Sequence, residues 1–303
     1  MSGTVHSSAG GEPTRIERFG WRGAVEPGIA RVVSSHGDYY RIVCNESPEP
    51  LLARKKKSAF ARMKVASPDG IRAVKRAGEH PDAPVRPVTG DFVRFRHNDR
   101  GDSLILEVLP RFSVFERRDP TARRSSQTLA VNYDTLFVMM SLNEDFSMPR
   151  LERYLALAEG SGGETVVVLT KTDLARDEAD MRVEELRKAA DGRAEVIAIS
   201  ALTGEGMDGV ARYARPGRTI ALVGSSGVGK STLLNALAGE ELSATQEIQE
   251  WSGKGRHTTT VRELSMLPSG AMVIDTPGVR EIGIVGEEEC GLAKGECSHR
   301  YRK

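Results

Sequence analysis

The sequence predicts two joined domains: a small all-β barrel of OB type over residues 28–112, then an α/β domain over 113–284 on a largely parallel sheet. Three observations predict this. Before Arg111, short alternating segments are separated by turn residues, with no helical periodicity. After it, longer apolar runs alternate with amphipathic helical stretches, the pattern of strands joined by covering helices. One of those runs, RTIALVG, leads into GSSGVGKST at 224–232, a phosphate-binding loop.

At 303 residues the chain has room for both domains, and its 39% hydrophobic content is compatible with two cores. No apolar run is long enough for a transmembrane helix, so no membrane association is expected. Residues 1–27 open with MSGTVHSSAGGEPTR, small and polar, and read as a disordered tail without the apolar core of a signal peptide. Cys44, Cys290 and Cys297 make no disulfide framework and suit a reducing cytoplasm. Residues 1–125 hold 23 Lys and Arg against 15 Asp and Glu, whereas 126–303 hold 20 against 27. A basic first part on an acidic second part suggests a nucleic-acid-facing module attached to something else.

Taken in order, GIARVVSSHGDYYRIVCN (28–45) reads as a hairpin turning at His36-Gly37-Asp38, and the basic ARKKKSAFARMKV (53–65) as loop and strand. AGEHPDAPVRP (77–87) is turn-like, and TGDFVRFRHNDRGDSLILEVLPR (89–111) contributes two further strands around Asp99-Arg100-Gly101. In the second domain DTLFVMMSL (134–142), ETVVVLT (164–170), AEVIAIS (194–200) and RTIALVG (218–224) are strands. RLERYLALAE (150–159) and DEADMRVEELRKAA (177–190) are helices, and 261–267 with 271–278 form a last strand pair.

The phosphate loop comprises Gly224, Ser225, Ser226, Gly227, Val228, Gly229, Lys230, Ser231 and Thr232. Its glycines let consecutive N–H groups turn inward around phosphate oxygens, and the helix that follows adds its N-terminal donors. Lys230 is expected to reach the β- and γ-phosphates and Ser231 to bind Mg²⁺. Asp275 of DTPG, at the end of an apolar strand, is the second expected Mg²⁺ residue, with the Gly278 N–H near the γ-phosphate. Between them WSGKGRHTTTVREL (251–264) reads as a nucleotide-gated loop, in which Thr259 is expected to complete the Mg²⁺ shell. Spacing alone leaves Thr258 and Thr260 open for that role.

Thr170, Lys171, Thr172 and Asp173 follow a strand and resemble the Asn-Lys-x-Asp element that recognises guanine. One carboxylate can accept from both the ring N1–H and the exocyclic amino group, a paired contact that adenine lacks. Thr170 replaces the amide with a hydroxyl, which implies weaker guanine preference. The next strand ends in Ser200, Ala201 and Leu202, matching a second base loop. Base elements therefore precede phosphate loop, threonine loop and DTPG, and moving the first block to the end restores the usual order. A circularly permuted GTPase domain follows (order G4-G5-G1-G2-G3), which a parallel sheet tolerates when old termini lie close together.

With TKTD, SALTG, GSSGVGKST, GRHTTT and DTPGVRE in this order, plus VTGDFVRF and LERYLALA upstream, the chain resembles the circularly permuted, ribosome small-subunit-dependent GTPases (RsgA) from about residue 28 to 299. The resemblance implies an OB domain, a permuted P-loop GTPase domain and a C-terminal zinc subdomain. It also implies GTP hydrolysis to GDP and phosphate on the small (30S) ribosomal subunit in late assembly, with 16S rRNA as partner, by a cytoplasmic monomer. Val279 stands where Ras-type enzymes carry a water-orienting Gln, so slow intrinsic turnover is expected, with His257 the internal candidate to supply the missing group. Cys297-Ser-His299 matches the family's zinc pair, with Cys290 a further ligand. The chain ends at Lys303, before the family's last cysteine, so residues 285–303 are expected to be a truncated, partial zinc site. For RNA, candidates are Arg54 to Lys64, Arg94, Arg96, Arg117, Arg118, Arg123 and Arg124, with Tyr39, Tyr40 and Phe95 as stacking platforms. The alternative is an RNA-binding assembly scaffold clamped by nucleotide with negligible turnover. An ATP-using phosphotransferase is disfavoured by the base elements.

Overall fold

The computed structural model describes residues 12–55, 86–118, 126–143, 146–239 and 262–276. Strands β1 (Ile29–His36), β2 (Tyr39–Cys44), β3 (Leu51–Lys55), β4 (Phe92–Arg96) and β5 (Ser103–Val108) pair in the order β1-β2-β3-β5-β4, and β4 returns to β1. This closes a five-stranded OB-like barrel, antiparallel except where β3 runs parallel to β5. Alternation puts Val32, Tyr40, Ile42, Val93, Phe95 and Ile105 inside. The β1–β2 hairpin pairs His36 with Tyr39, leaving a two-residue turn whose first position is Gly37 at φ +58.

Residues 12–27 depart from the expected disordered tail. A short helix α1 (Arg15–Arg18) is capped by Glu17, whose carboxylate accepts from the Thr14 N–H at 2.7 Å and the Thr14 hydroxyl at 2.6 Å. Ile16 and Phe19 are buried, and Trp21 lies 5.1 Å from the Phe92 ring. Three large apolar side chains in one short segment bury enough surface to offset its ordering, and a mostly polar composition concealed them.

From the barrel the chain makes a hairpin of β6 (Val114–Arg118) and β7 (Ser126–Val131), which the strand–helix alternation did not reveal. It then builds β8 (Thr135–Ser141), α2 (Met148–Ala158), β9 (Glu164–Thr170), α3 (Arg176–Ala190) and β10 (Glu195–Ala198). After α4 (Met207–Ala211) come β11 (Thr219–Val223), α5 (Lys230–Ala238), β12 (Glu263–Met266) and β13 (Met272–Asp275). The sheet order is β10-β9-β8-β11-β13-β12, all parallel except β12. Both faces of β8 are covered: Leu136, Val138 and Met140 enter one core, Phe137 and Met139 the other, as a central parallel strand requires.

The chain thus enters mid-sheet at β8 and moves outward to β10. It then returns to β11 beside β8, crosses to the outer strand β12 and comes back to β13 next to β11. Connections leave β8 and β11 in opposite directions, which opens a crevice beyond their C-terminal ends. At the far edge β12 meets β1 through Ser34 and Glu263, so barrel and sheet share one run of strands.

At the N-terminal ends of β11 and β13, away from the crevice, Arg31 of β1, fully buried, joins the two parts. Its guanidinium donates to the carbonyls of Phe19 (2.6 Å) and Asn132 (2.9 Å) and to the Thr219 hydroxyl (3.0 Å), and lies over the Phe92 ring. Burial lowers its pKa to about 9, which keeps it charged at neutral pH. Beside it Arg111 grips Asp91 with two parallel bonds of 2.6 and 2.7 Å. Burial opposes ionisation of Asp134, but the Thr219 N–H and the Arg218 and Arg22 guanidiniums outweigh it and hold this carboxyl below the ordinary range. None of these residues was singled out in the sequence.

Candidate nucleotide-binding site

The predicted base and phosphate elements converge on the crevice at the C-terminal ends of β8, β9, β10, β11 and β13. The phosphate loop leaves β11 at Gly224, where an added Cβ would sit 2.8 Å from the Met139 carbonyl oxygen, so only glycine lets the loop pass this close to β8. Gly227 and Gly229 have φ of +79 and +102, and Lys230 opens α5. The Lys230 ammonium folds over its own loop, donating to the carbonyls of Gly224 (2.9 Å) and Ser225 (2.8 Å). Ser226, Gly227, Ser231 and Thr232 are exposed, whereas Val228 is buried and anchors the loop in the core.

TKTD follows β9 and SAL follows β10, and the two loops are stitched together. The Ile199 N–H donates to Leu169 O (2.8 Å) and the Thr172 N–H to Ile199 O (3.3 Å). Lys171 takes a left-handed conformation, φ +61 and ψ +37, which is uncommon for a residue other than glycine. Asp173, half-buried, accepts from the Ser200 hydroxyl at 2.6 Å, and that oxygen in turn accepts from the Thr203 N–H at 3.2 Å. Ser200 therefore holds the carboxylate, a role that spacing alone did not reveal. Leu202 stands 81% exposed beside this pair, and Ala201 is half-buried. Thr170 turns inward, 4% exposed, with its hydroxyl 2.6 Å from Val228 O and 3.1 Å from Met140 O.

Asp275 ends β13 next to β11. Its Oδ1 is buried and has no hydrogen-bond partner among the described residues. Burial pushes its pKa up while the Lys230 charge pulls it down. A buried carboxylate oxygen left without a donor is open to a cation, so this part of the site fits Mg²⁺. Thr276, the next residue of the motif, is buried and donates to Leu222 O at 2.6 Å, fixing β13 to the strand that carries the phosphate loop. Thr258, Thr259, Thr260, His257, Gly278, Val279, Cys290, Cys297 and His299 lie outside the described residues. Among the described residues no group of three or more His, Cys, Asp or Glu side chains is placed to hold a metal ion, and no helix is long and apolar enough to cross a membrane.

The stacking candidates on the barrel separate cleanly. Tyr40 (1% exposed) and Phe95 fill the barrel core and offer no face to a base, which corrects the expectation for both. Tyr39 is 42% exposed, with the Arg54 guanidinium 4.4 Å from its ring centroid and Arg54 ion-paired to Asp102. Arg96 is exposed, Arg94 faces Glu26 at 3.4 Å, and Arg117 donates to Gln127 at 2.8 Å. Arg123, Arg124 and residues 56–64 lie outside the described residues.

Known proteins resemble this chain in sequence and in fold. Residues 108–285 match the model of the RsgA GTPase family. A protein of Methanosarcina acetivorans named small ribosomal subunit biogenesis GTPase RsgA is 45% identical over 210 residues, covering 69% of this chain and 56% of that one. One of the same name from Leptospira interrogans is 38% identical over 264 residues, covering 87% and 66%. The chain thus spans under two thirds of the length of these relatives. Among solved structures, YjeQ from Thermotoga maritima superposes with a TM-score of 0.55 at 25% identity, over 83% of this chain and 74% of that one. YloQ, described as a circularly permuted GTPase, gives 0.51 at 19% identity over 84% and 73%, a likeness of fold. The strand order described above is accordingly that of a circularly permuted GTPase fold beside an OB-like barrel. The family model covers more than half of the sequence, and the chain belongs to the RsgA GTPase family.

Proposed function

We propose that this chain hydrolyses GTP to GDP and phosphate, stimulated by the small ribosomal subunit, and that it acts on 16S rRNA late in that subunit's assembly, as a cytoplasmic monomer. The observation that carries the reading is the meeting, at the C-terminal ends of the parallel strands, of a phosphate loop, a braced aspartate and an unpartnered buried carboxylate. Membership of the RsgA GTPase family and the names of its relatives, small ribosomal subunit biogenesis GTPases, support the partner.

In this reading the permuted motifs run G4-G5-G1-G2-G3, with 28–112 the RNA-facing barrel and 113–284 the GTPase domain. Asp173, held by Ser200, takes the guanine N1–H and amino group, and Lys171 packs its stem along base and sugar. The 224–232 loop wraps the phosphates with backbone N–H groups, and Lys230 exchanges its loop carbonyls for β- and γ-phosphate oxygens. Ser231 and Asp275, with Thr259, would hold Mg²⁺, which when bound neutralises charge on the transferring phosphate. The Gly278 N–H would face the γ-phosphate, and His257 would orient water, since the Val279 side chain cannot. Cys290, Cys297 and His299 would supply a partial zinc site.

Phosphate release from GTP, with and without purified small subunits and with ATP in parallel, tests the whole reading. Strong GTP-selective stimulation is expected; ATP turnover equal to that with GTP would sink it. Val279 favours a second reading, a nucleotide-clamped RNA-binding scaffold, which multiple-turnover phosphate release would exclude. A His257→Ala variant that keeps full subunit-stimulated turnover would remove that residue from the mechanism.

A further inference from the structure

Thr170 occupies the position from which an asparagine amide would offer two donors and an acceptor. Its hydroxyl offers one proton. That proton has two acceptors inside the fold, Val228 O at 2.6 Å and Met140 O at 3.1 Å, and both are main-chain carbonyls. The side chain is buried and abuts the phosphate loop: a Cβ built on Gly229 would lie 3.6 Å from its oxygen. Val228 is the buried anchor of that loop, directly before Gly229 and Lys230.

Guanine presents acceptors, N7 and O6, on its Hoogsteen edge, so contact there needs a donor. Thr170 has no donor left to give. We propose that Thr170 is a positioning residue that braces the phosphate loop through the Val228 carbonyl and leaves guanine N7 without a side-chain contact. Base discrimination then rests on Asp173 and its Ser200 support, while Thr170 acts on the phosphate end of the same ligand. The inference rests on the nucleotide site proposed above, and it reassigns the weaker guanine preference expected of a threonine to a different function.

Two arms test it on the full chain, both by competition against a fluorescent GDP. In the first, wild-type protein is titrated with GDP and with 7-deaza-GDP, in which N7 is replaced by C–H. Affinities within about threefold are expected, and a larger loss would overturn the proposal, since it would reveal a donor on N7 worth a full hydrogen bond. In the second, GDP and guanosine are compared on wild type, Thr170→Val and Thr170→Ser. The valine variant should bind GDP about five- to tenfold more weakly, with guanosine unchanged and the serine variant restoring GDP. Equal losses for GDP and guanosine, or none, would overturn the brace. Absence of GDP binding by wild type would sink the site itself and the brace with it, whereas tight GDP binding indifferent to Thr170→Val sinks the brace alone. The first arm needs no variant and stands even where Thr170→Val fails to fold.

Discussion

The two ends of the central sheet hold polar groups in opposite ways. At the barrel junction three buried charged groups are answered from within: Arg31 by carbonyls and a hydroxyl, Asp91 by the fork of Arg111, Asp134 by Arg218 and the Thr219 N–H. At the crevice the pairing is incomplete or turned inward. Asp275 Oδ1 is buried without a partner among the described residues, Lys230 spends its ammonium on its own loop, and Lys171 sits at positive φ. Buried charges completed internally specify a fold; a buried carboxylate left short of partners beside a phosphate loop is where a ligand can complete it.

The largest effect should come from attacking the completed end. Arg31→Ala leaves several buried carbonyls without donors and opens a cavity, costing about 3–5 kcal/mol of unfolding free energy in denaturant titration. A cost below about 1 kcal/mol would mean the junction is not the structural weld described. At the crevice Asp173→Asn should lower GDP affinity about 10- to 100-fold by removing a charged acceptor, with little change in melting temperature. Equal loss of stability there would erase the contrast.

Asp275→Asn sharpens it through a difference in sign. The folded pKa of Asp275 is raised by burial above its unfolded value, so the folded state holds its proton more tightly. This carboxyl therefore costs no stability below the ordinary Asp range, and the cost grows as pH rises through that range to the raised value. The asparagine variant should be more stable at neutral pH, by about 0.5–2 kcal/mol, while GTP turnover falls. The gap between the two melting curves should close on acidification. Smallest of all, Thr14→Ala at the α1 cap should cost about 0.5–1 kcal/mol and leave nucleotide binding alone.

The contrast also explains what could be read in advance. Strand–helix alternation, the phosphate loop and the paired base loops are local patterns, and the crevice assembles from their spacing alone. Arg31 could not be read that way. In IARVVSSH it occupies an outward position of a barrel strand, and only the covering β11, β13 and Phe19 turn that outer face into an interior. Parity, by contrast, was available for the aromatics: in YYRIVC, Arg41 marks the outward set that includes Tyr39, which leaves Tyr40 inside with Ile42 and Cys44. FVRFR assigns Phe95 inward in the same way. The residues 12–27 that dock were obscured by the polar stretch before them.

The mid-sheet entry of β8 has a consequence for synthesis. Thr135–Ser141, apolar throughout its centre and buried on both faces, is made first among the parallel strands, yet its partner β11 is Thr219–Val223. At about 5–20 residues per second, translation leaves one edge of this strand unpaired for several seconds. An edge that long and apolar is a template for joining another chain. A GTPase whose phosphate-loop strand is synthesised first pairs its central strands in the reverse sequence, so permutation moves the window of aggregation risk onto a different strand.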